Sequence, residues 1–191
     1  VVLAGRTLEK VESAAASIEA RGGTACAVAC NVKEPGDLAG AIDCATTRFG
    51  GLDIRVNNAQ EVPLGGPGAA SGEAFVAGFE SGPLATFRLM KLARPLMAAR
   101  GGGTIINLAS SAGVRWDMTR YGAYGAVKQA VRALTRAGAA EWGSESIRVL
   151  TIAPHAESPG LKRWVEDNPD EAEAFFRTIP LGRIGRLEED I

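Results

Sequence analysis

The stretch that decides the fold runs from Gly103 to Lys128 and reads GTIINLASSAGVRWDMTRYGAYGAVK. An apolar strand is predicted over Thr104–Ala109, and the chain then passes through two serines that end at Ser111. After a short loop, a helix that opens near residue 121 carries Tyr124 and Lys128. Residues four apart lie on one face of a helix, and the ends of parallel strands collect ligands. The stretch therefore predicts that three hydrogen-bonding side chains converge at one edge of a sheet.

These three side chains form a candidate catalytic set. A phenol has a pKa of about 10 and is a poor acid or base at neutral pH. A cation within hydrogen-bond reach favours the phenolate, so Lys128 is expected to lower the pKa of Tyr124. Ser111 then donates to a substrate carbonyl oxygen while the tyrosine transfers a proton. The alternative is an ordinary surface pair of tyrosine and lysine, but the preceding strand with its serines favours the catalytic interpretation.

On these residues the chain resembles the short-chain dehydrogenase/reductase family. The matching segments are residues 105–113 and 124–128, and Ser111 precedes Tyr124 by thirteen residues, which is the usual interval in the family. The resemblance implies that Tyr124 is the catalytic acid and base and that Ser111 orients the substrate oxygen. It also implies that Lys128 lowers the tyrosine pKa and binds the nicotinamide ribose. Tyr121 is the competing tyrosine, but no lysine lies four residues after it.

The first apolar run, Val1–Ala4, is predicted to be a buried parallel strand, and the residues after it bear on the cofactor. In dinucleotide-binding folds an acidic residue at this strand end binds the ribose 2′-hydroxyl, whereas an arginine accommodates a 2′-phosphate. Here the acidic position holds Gly5, and Arg6 comes next. This favours NADP over NAD, unless Arg6 is only a solvated surface charge.

The resemblance assigns further residues to the cofactor, with the catalytic tyrosine and lysine completing the set. These further residues are Asn31, Val32, Asn58 and Ala59. Four positions depart from the family pattern: Gln60, Gly82, Leu150 and His155. Gln60 replaces a glycine and is expected to crowd the path of the cofactor, while Gly82 stands where an asparagine commonly completes a proton relay.

Composition narrows the range of partners. A net charge of −1 and a pI of about 6.0 give no support for a nucleic-acid or membrane partner. The cysteines at positions 26, 30 and 44 have no metal-ligand spacing to the single histidine, so no metal site is predicted. Reduced structural thiols in a cytoplasmic protein are the favoured interpretation. No apolar run reaches the ~18 residues of a membrane span.

Strands alternate with helices along the chain, which predicts an α/β fold with a three-layer, doubly wound parallel sheet of the Rossmann type. A single domain is expected over residues 1–191, with a substrate flap at residues 155–186. Relative to the family, the opening strand with its Gly-rich phosphate loop and the last helix and strand are missing. The fold is therefore expected to be incomplete at both ends.

The resulting prediction is an NADP-dependent oxidoreductase that transfers hydride between the nicotinamide and a carbonyl or secondary alcohol carbon. When complete, it is expected to be a homodimer or homotetramer. Two alternatives remain open. The same triad serves an enoyl or dienoyl thioester reductase, because the flap and not the triad selects the substrate. The four departures from the family pattern instead fit a catalytically degenerate Rossmann binding or scaffold protein.

Overall fold

The computed structural model describes residues 1–115, 120–186, 189 and 190, and the chain splits into two compact units, residues 1–152 and 153–191. The strands of the first unit are β1 (Val2–Gly5), β2 (Cys26–Ala29), β3 (Ile54–Asn57), β4 (Gly103–Leu108) and β5 (Ile147–Ile152). The helices between and around them are α1 (Leu8–Glu19), α2 (Pro35–Phe49), α3 (Gly72–Phe79), α4 (Ala85–Ala99) and α5 (Gly122–Trp142). The alternation of strand and helix confirms the predicted α/β class.

The strands pair in parallel, as predicted, but the described residues place them in two sheets. β1 pairs with β2, and the second sheet has the order β3-β4-β5. This arrangement is the doubly wound order 3-2-1-4-5-6 read without its first strand. In that order the first strand stands between the strands that correspond to β1 and β3. These two strands are therefore not hydrogen-bonded neighbours.

The three-stranded sheet buries one face against helices. Ile105 of β4 and Val149 of β5 pack with Met90 of α4 in a buried apolar cluster. Successive side chains of a strand point to opposite faces, and the other face carries Val56 and Leu150, which are 47% and 46% exposed. The helices of the first unit thus hold this sheet from one side. The end of β4 and the start of α5 are brought together on that framework.

The long helical region before β4 continues through Gly82 and Pro83. Between α3 and α4 the chain forms a π-helical turn, Glu80–Leu84, in which the Ala85 N–H donates to the Glu80 carbonyl. A π-helical turn hydrogen-bonds over five residues rather than four, so the missing N–H of proline is tolerated without ending the helix. The Gly82 and Pro83 pair is thus accommodated as a local widening of one helix.

The second unit contains two short helices, α6 (Pro159–Asp167) and α7 (Pro169–Arg177). The rings of Trp164 and Phe175 meet edge to face, with centroids 6.0 Å apart, and they join the two helices. Both helices lie within the predicted flap at residues 155–186, whose role over a substrate stays a prediction.

Candidate active site

Tyr124 and Lys128 lie one turn apart on α5, next to the end of β4. The Lys128 Nζ atom is 5.5 Å from the centre of the Tyr124 ring. The same atom donates a hydrogen bond of 2.6 Å to the carbonyl oxygen of Leu108, the last residue of β4. Lys128 is 4% exposed. The structure thus brings together the tyrosine, the lysine and the strand end that the sequence singled out.

Burial dominates the acid–base properties of this pair. It lowers the pKa of Lys128 from 10.5 to about 8, so the ammonium is still mostly protonated at neutral pH. Burial also raises the pKa of Tyr124 above its ordinary 10.0, while a hydrogen bond with Ser110 opposes this rise and Tyr121 adds to it. The expected lowering of the Tyr124 pKa by Lys128 is therefore not found. Desolvation of the phenolate outweighs the other influences on this group.

The serines that follow β4 occupy distinct positions. The Ser110 Oγ atom accepts a hydrogen bond of 3.2 Å from the Ala112 N–H and caps the short 3-10 turn Ser111–Gly113. Ser110 is also hydrogen-bonded to the phenol of Tyr124. Sequence reasoning selected Ser111, which opens the turn, and missed Ser110 as a partner of the tyrosine. The sequence offered a signal for Ser110 as well, because Ser110 and Ser111 are adjacent at the end of the strand.

A buried polar network fixes β3, β4 and α5 relative to one another. Asn107 is 0% exposed. Its Oδ1 atom accepts from Asn57 Nδ2 at 2.8 Å, and its Nδ2 donates to Thr135 Oγ1 at 2.9 Å. Asn57 in turn accepts from Arg55 Nε at 2.8 Å. Buried amides of this kind specify one arrangement when all their partners are present, so the network holds α5 and its tyrosine in place against β4.

A cavity of about 300 Å³ lies at the carboxyl ends of β1, β2 and β3. The cofactor residues predicted from the first part of the chain all line it: Arg6, Asn31, Val32, Asn58 and Ala59. Gln60, Glu61 and Ser81 line it as well. Carboxyl ends of parallel strands are where doubly wound folds bind ligands. The predicted cofactor residues are thus neighbours around one opening, with Tyr124 and Lys128 placed separately on α5.

Glu61 is a charged residue of this cavity that sequence reasoning missed. Its carboxylate pairs with the Arg6 guanidinium at 3.0 Å and with the Lys33 ammonium at 3.0 Å. The side chain of Arg6 is 66% exposed, whereas those of Lys33 and Glu61 are 26% and 30% exposed. Arg6 lines the cavity, Lys33 lies next to it through their shared partner, and the Glu61 carboxylate pairs with both cations. Lys33 directly follows the predicted cofactor residues Asn31 and Val32, and this position in the sequence could have identified Lys33 as a second cation near the cavity.

Comparison with known proteins agrees with this arrangement. A family model described as Enoyl-(Acyl carrier protein) reductase matches residues 1–190. A solved short-chain type dehydrogenase/reductase from Mycobacterium marinum has 32% sequence identity and a TM-score of 0.87, covering 99% of this chain and 74% of that one. The chain belongs to the short-chain dehydrogenase/reductase family.

Two curated relatives show the range of chemistry among similar proteins. The peroxisomal 2,4-dienoyl-CoA reductase of Danio rerio is 34% identical over 191 residues, which is 98% of this chain and 63% of that protein. The 12alpha-hydroxysteroid dehydrogenase of a Clostridium species is 34% identical over 152 residues, which is 79% of this chain and 58% of that protein. The chain thus spans about three fifths of the length of these relatives.

Two departures from the short-chain dehydrogenase/reductase pattern fit each other. The Gln60 Nε2 atom donates to the carbonyl of Gly78 at 2.8 Å, which turns the amide toward the π-helical turn. A Cβ atom built on Gly82 would lie 2.2 Å from Gln60 Oε1. The Gln60 amide therefore fills the space that a side chain at position 82 needs. Gln60 was expected to crowd the path of the cofactor, but its amide instead occupies the space beside position 82, although Gln60 also lines the cavity.

The remaining departures are Leu150 and His155. Leu150 lies on the exposed face of β5. His155, in the second unit, has its ring 5.7 Å from that of Phe175. Within the described ranges, no group of three or more histidine, cysteine or acidic residues could hold a metal ion. In the same part of the chain, no helix has the length and apolarity to cross a membrane.

Proposed function

We propose that the protein is an NADP-dependent oxidoreductase that transfers hydride between the nicotinamide and the carbon of a carbonyl or secondary alcohol. The observation that carries the proposal is the buried Tyr124–Lys128 pair at the end of β4, with Nζ 5.5 Å from the ring centre. A buried ammonium beside a phenol is an arrangement for proton transfer rather than for a solvated surface. Membership of the short-chain dehydrogenase/reductase family supports the same class of reaction.

In the reducing direction the chain's own groups handle the substrate oxygen. Ser111 is proposed to donate a hydrogen bond to that oxygen, with Ser110 holding the phenol of Tyr124. The bound cofactor supplies the hydride. Tyr124, whose pKa is raised by burial so that the phenol is protonated at neutral pH, then gives its proton to the oxygen. Lys128, anchored by the Leu108 carbonyl, stabilises the phenolate that remains.

The pH dependence of the two directions of reaction follows from the same pKa. Alcohol oxidation starts from a tyrosine that has lost its proton, and the raised pKa of Tyr124 makes that form scarce at neutral pH. We therefore expect carbonyl reduction to proceed at neutral pH and alcohol oxidation to speed up as the solution becomes alkaline.

The cavity fits the adenosine part of the proposed cofactor. Its polar lining includes Asn31 and Asn58. Their amides offer hydrogen-bond donors and acceptors to the base and ribose of a nucleotide. Arg6 and Lys33 offer two cations to a 2′-phosphate, which would have to displace Glu61 from them. This pair of cations is the reason for preferring NADP.

A second candidate is the reduction of an enoyl or dienoyl thioester. It is favoured by the similarity to the peroxisomal 2,4-dienoyl-CoA reductase and by the description of the matching family model. Proton delivery by Tyr124 is compatible with both substrates. A catalytically degenerate binding protein remains a third candidate, and the intact buried pair of tyrosine and lysine argues against it.

The experiment is a substrate screen that follows the absorbance of the reduced nicotinamide. Ketones, aldehydes and secondary alcohols are tested beside enoyl and dienoyl thioesters, each with NADP(H) and NAD(H). Turnover of a ketone or alcohol supports the leading proposal, and turnover of thioesters alone supports the second. Binding of nucleotide without turnover of any substrate would support the degenerate protein.

Tyr124→Phe and Tyr121→Phe make a matched pair for the mechanism, because the two rings have centroids only 6.2 Å apart. Removing the Tyr124 hydroxyl is expected to lower turnover by about 10²–10⁴-fold, with nucleotide affinity nearly unchanged. Removing the Tyr121 hydroxyl is expected to leave turnover within a few-fold of the parent. Equal turnover in the two variants would refute the acid–base role of Tyr124.

A further inference from the structure

Two cysteines outside the candidate active site touch each other. Cys26 opens β2, Cys44 lies in the third turn of α2, and their Sγ atoms are 2.8 Å apart. A disulfide bond is about 2.05 Å long, so the two sulphur atoms need to approach by less than about 1 Å. Cys30, which directly follows β2, lines the cavity and packs against Leu38 and Ile42 in an apolar cluster.

We propose that Cys26 and Cys44 are a modification site at which a peroxide or a small disulfide forms a reversible intramolecular disulfide. With hydrogen peroxide, the Cys44 sulphur attacks one oxygen, the O–O bond breaks, and sulfenic acid and water result. The Cys26 sulphur then attacks the oxidised sulphur, the S–O bond breaks, and a second water leaves. In total two thiols lose two hydrogen atoms, and one peroxide is reduced to two waters. With oxidised glutathione, the Cys44 sulphur attacks the disulfide and releases one glutathione thiol, and the Cys26 sulphur then attacks the mixed disulfide and releases the second.

The surroundings of the pair set the order and the speed of these steps. Cys26 is buried and Cys44 is partly exposed, so Cys44 is the sulphur that meets the oxidant first. Burial, followed by the hydrogen bond with Cys26, raises the pKa of Cys44, and the nearby Arg48 opposes that rise. Because the thiolate is the reactive form, the reaction is slow at neutral pH and accelerates as pH rises.

The disulfide would join the first residue of β2 to α2. Asn31 and Val32 follow the opposite end of that strand and line the nucleotide cavity. The covalent link therefore leaves the cavity end of β2 unaltered and ties the strand to the helix that packs on it. A disulfide that closes the loop from residue 26 to residue 44 restricts the conformations of the unfolded chain. Oxidation is therefore expected to stabilise the protein without blocking the cavity.

The test treats the reduced 191-residue chain with hydrogen peroxide and, separately, with oxidised glutathione. Free thiols are expected to fall from three to one, with a mass loss of about 2 Da for the two hydrogens removed. Peptide mapping without reductant should find residues 26 and 44 in one cross-linked species. The melting temperature should rise by about 5–10 °C, and dithiothreitol should reverse every change.

Cys30→Ser and Cys44→Ser are the matched variants. Cys30→Ser keeps the pair and should lose both remaining thiols on oxidation, whereas Cys44→Ser should form no intramolecular disulfide. Cross-links between separate chains, a disulfide that includes Cys30, or two thiols that survive peroxide together would each overturn the proposal. The peptide map of the unaltered chain decides the question even where a variant folds poorly.

Discussion

Replacing Lys128 with methionine is expected to change how the free energy of unfolding depends on pH. The folded chain holds this lysine buried, with its pKa lowered from 10.5 to about 8. Between those two values the unfolded chain binds the proton and the folded chain has released it. Stability rises with pH wherever the unfolded state binds more protons. Lys128 thus destabilises the fold fully below pH 8, and the penalty disappears as pH approaches 10.5.

The size of the effect follows from the two pKa values. A difference from 10.5 to about 8 corresponds to a total of roughly 3 kcal/mol. Between about pH 6.5 and pH 10, roughly 2–3 kcal/mol of this is recovered by the parent chain but not by Lys128→Met. The variant also leaves the Leu108 carbonyl without its donor, which costs about 1–3 kcal/mol. That cost does not vary with pH, so it shifts the curve of the variant without changing its slope.

Urea denaturation followed by circular dichroism at several pH values measures the quantity directly. The difference in unfolding free energy between parent and Lys128→Met should change by roughly 2–3 kcal/mol across that pH range, in favour of the parent at high pH. Lys91→Met, which removes an exposed lysine from α4, controls for the loss of one positive charge. Parallel curves for parent and Lys128→Met would show that the ammonium is not held in a desolvated position, and the reasoning would fail.

Three further predictions concern the cavity and the buried network. Arg6→Ala should weaken the binding of adenosine 2′,5′-bisphosphate about 10-fold and leave the binding of adenosine 5′-monophosphate unchanged. Glu61→Gln should strengthen the binding of the bisphosphate. Equal effects on both nucleotides in calorimetry would refute a 2′-phosphate site. Gly82→Ala should destabilise the chain by about 1–3 kcal/mol, and much less in a Gln60→Ala background, so additive urea-unfolding losses would contradict the proposed steric conflict. Asn107→Leu should cost about 1–3 kcal/mol because it leaves the buried Asn57 amide without its acceptor, while Thr135 keeps its bond to the Val131 carbonyl. An unchanged urea midpoint would refute this.

Most of the elements could be predicted from the sequence because their signals are local. Pro35 begins α2 and Gly50 ends it with a positive φ of 75°, both as their residue types favour. The strand before Ser111 and the helix that carries Tyr124 and Lys128 are likewise set by apolar runs and by helical spacing. The pairing of Tyr124 with Lys128 on α5 was predictable for the same reason, since side chains four residues apart on a helix lie on the same face.

What the sequence could not show depends on contacts between distant segments. Whether the pKa of Tyr124 is raised or lowered depends on how deeply α5 is buried against β4, and no local sequence pattern indicates that depth. Glu61 is likewise far from Arg6 in sequence, and only the folding of β1 and β3 into one cavity wall makes them an ion pair. Apolar residues occur on both faces of β5, which is typical of a strand with two covered faces, yet Leu150 and Ile152 are 46% and 43% exposed.

Gln60 and Gly82 illustrate why departures from a family pattern should not be interpreted one at a time. Taken singly, an amide side chain in place of glycine suggests obstruction, and a glycine in place of asparagine suggests a lost relay. Their contact changes both interpretations, because the Gln60 amide occupies the space beside Gly82 and donates to the Gly78 carbonyl on the same helical segment. A carboxamide is thus kept next to the π-helical turn, delivered from the end of β3 instead of from the helix itself. The two substitutions together mean that the carboxamide beside the π-helical turn comes from residue 60 and not from residue 82. The buried Gln60 Oε1 atom remains available to accept a hydrogen bond beside that turn.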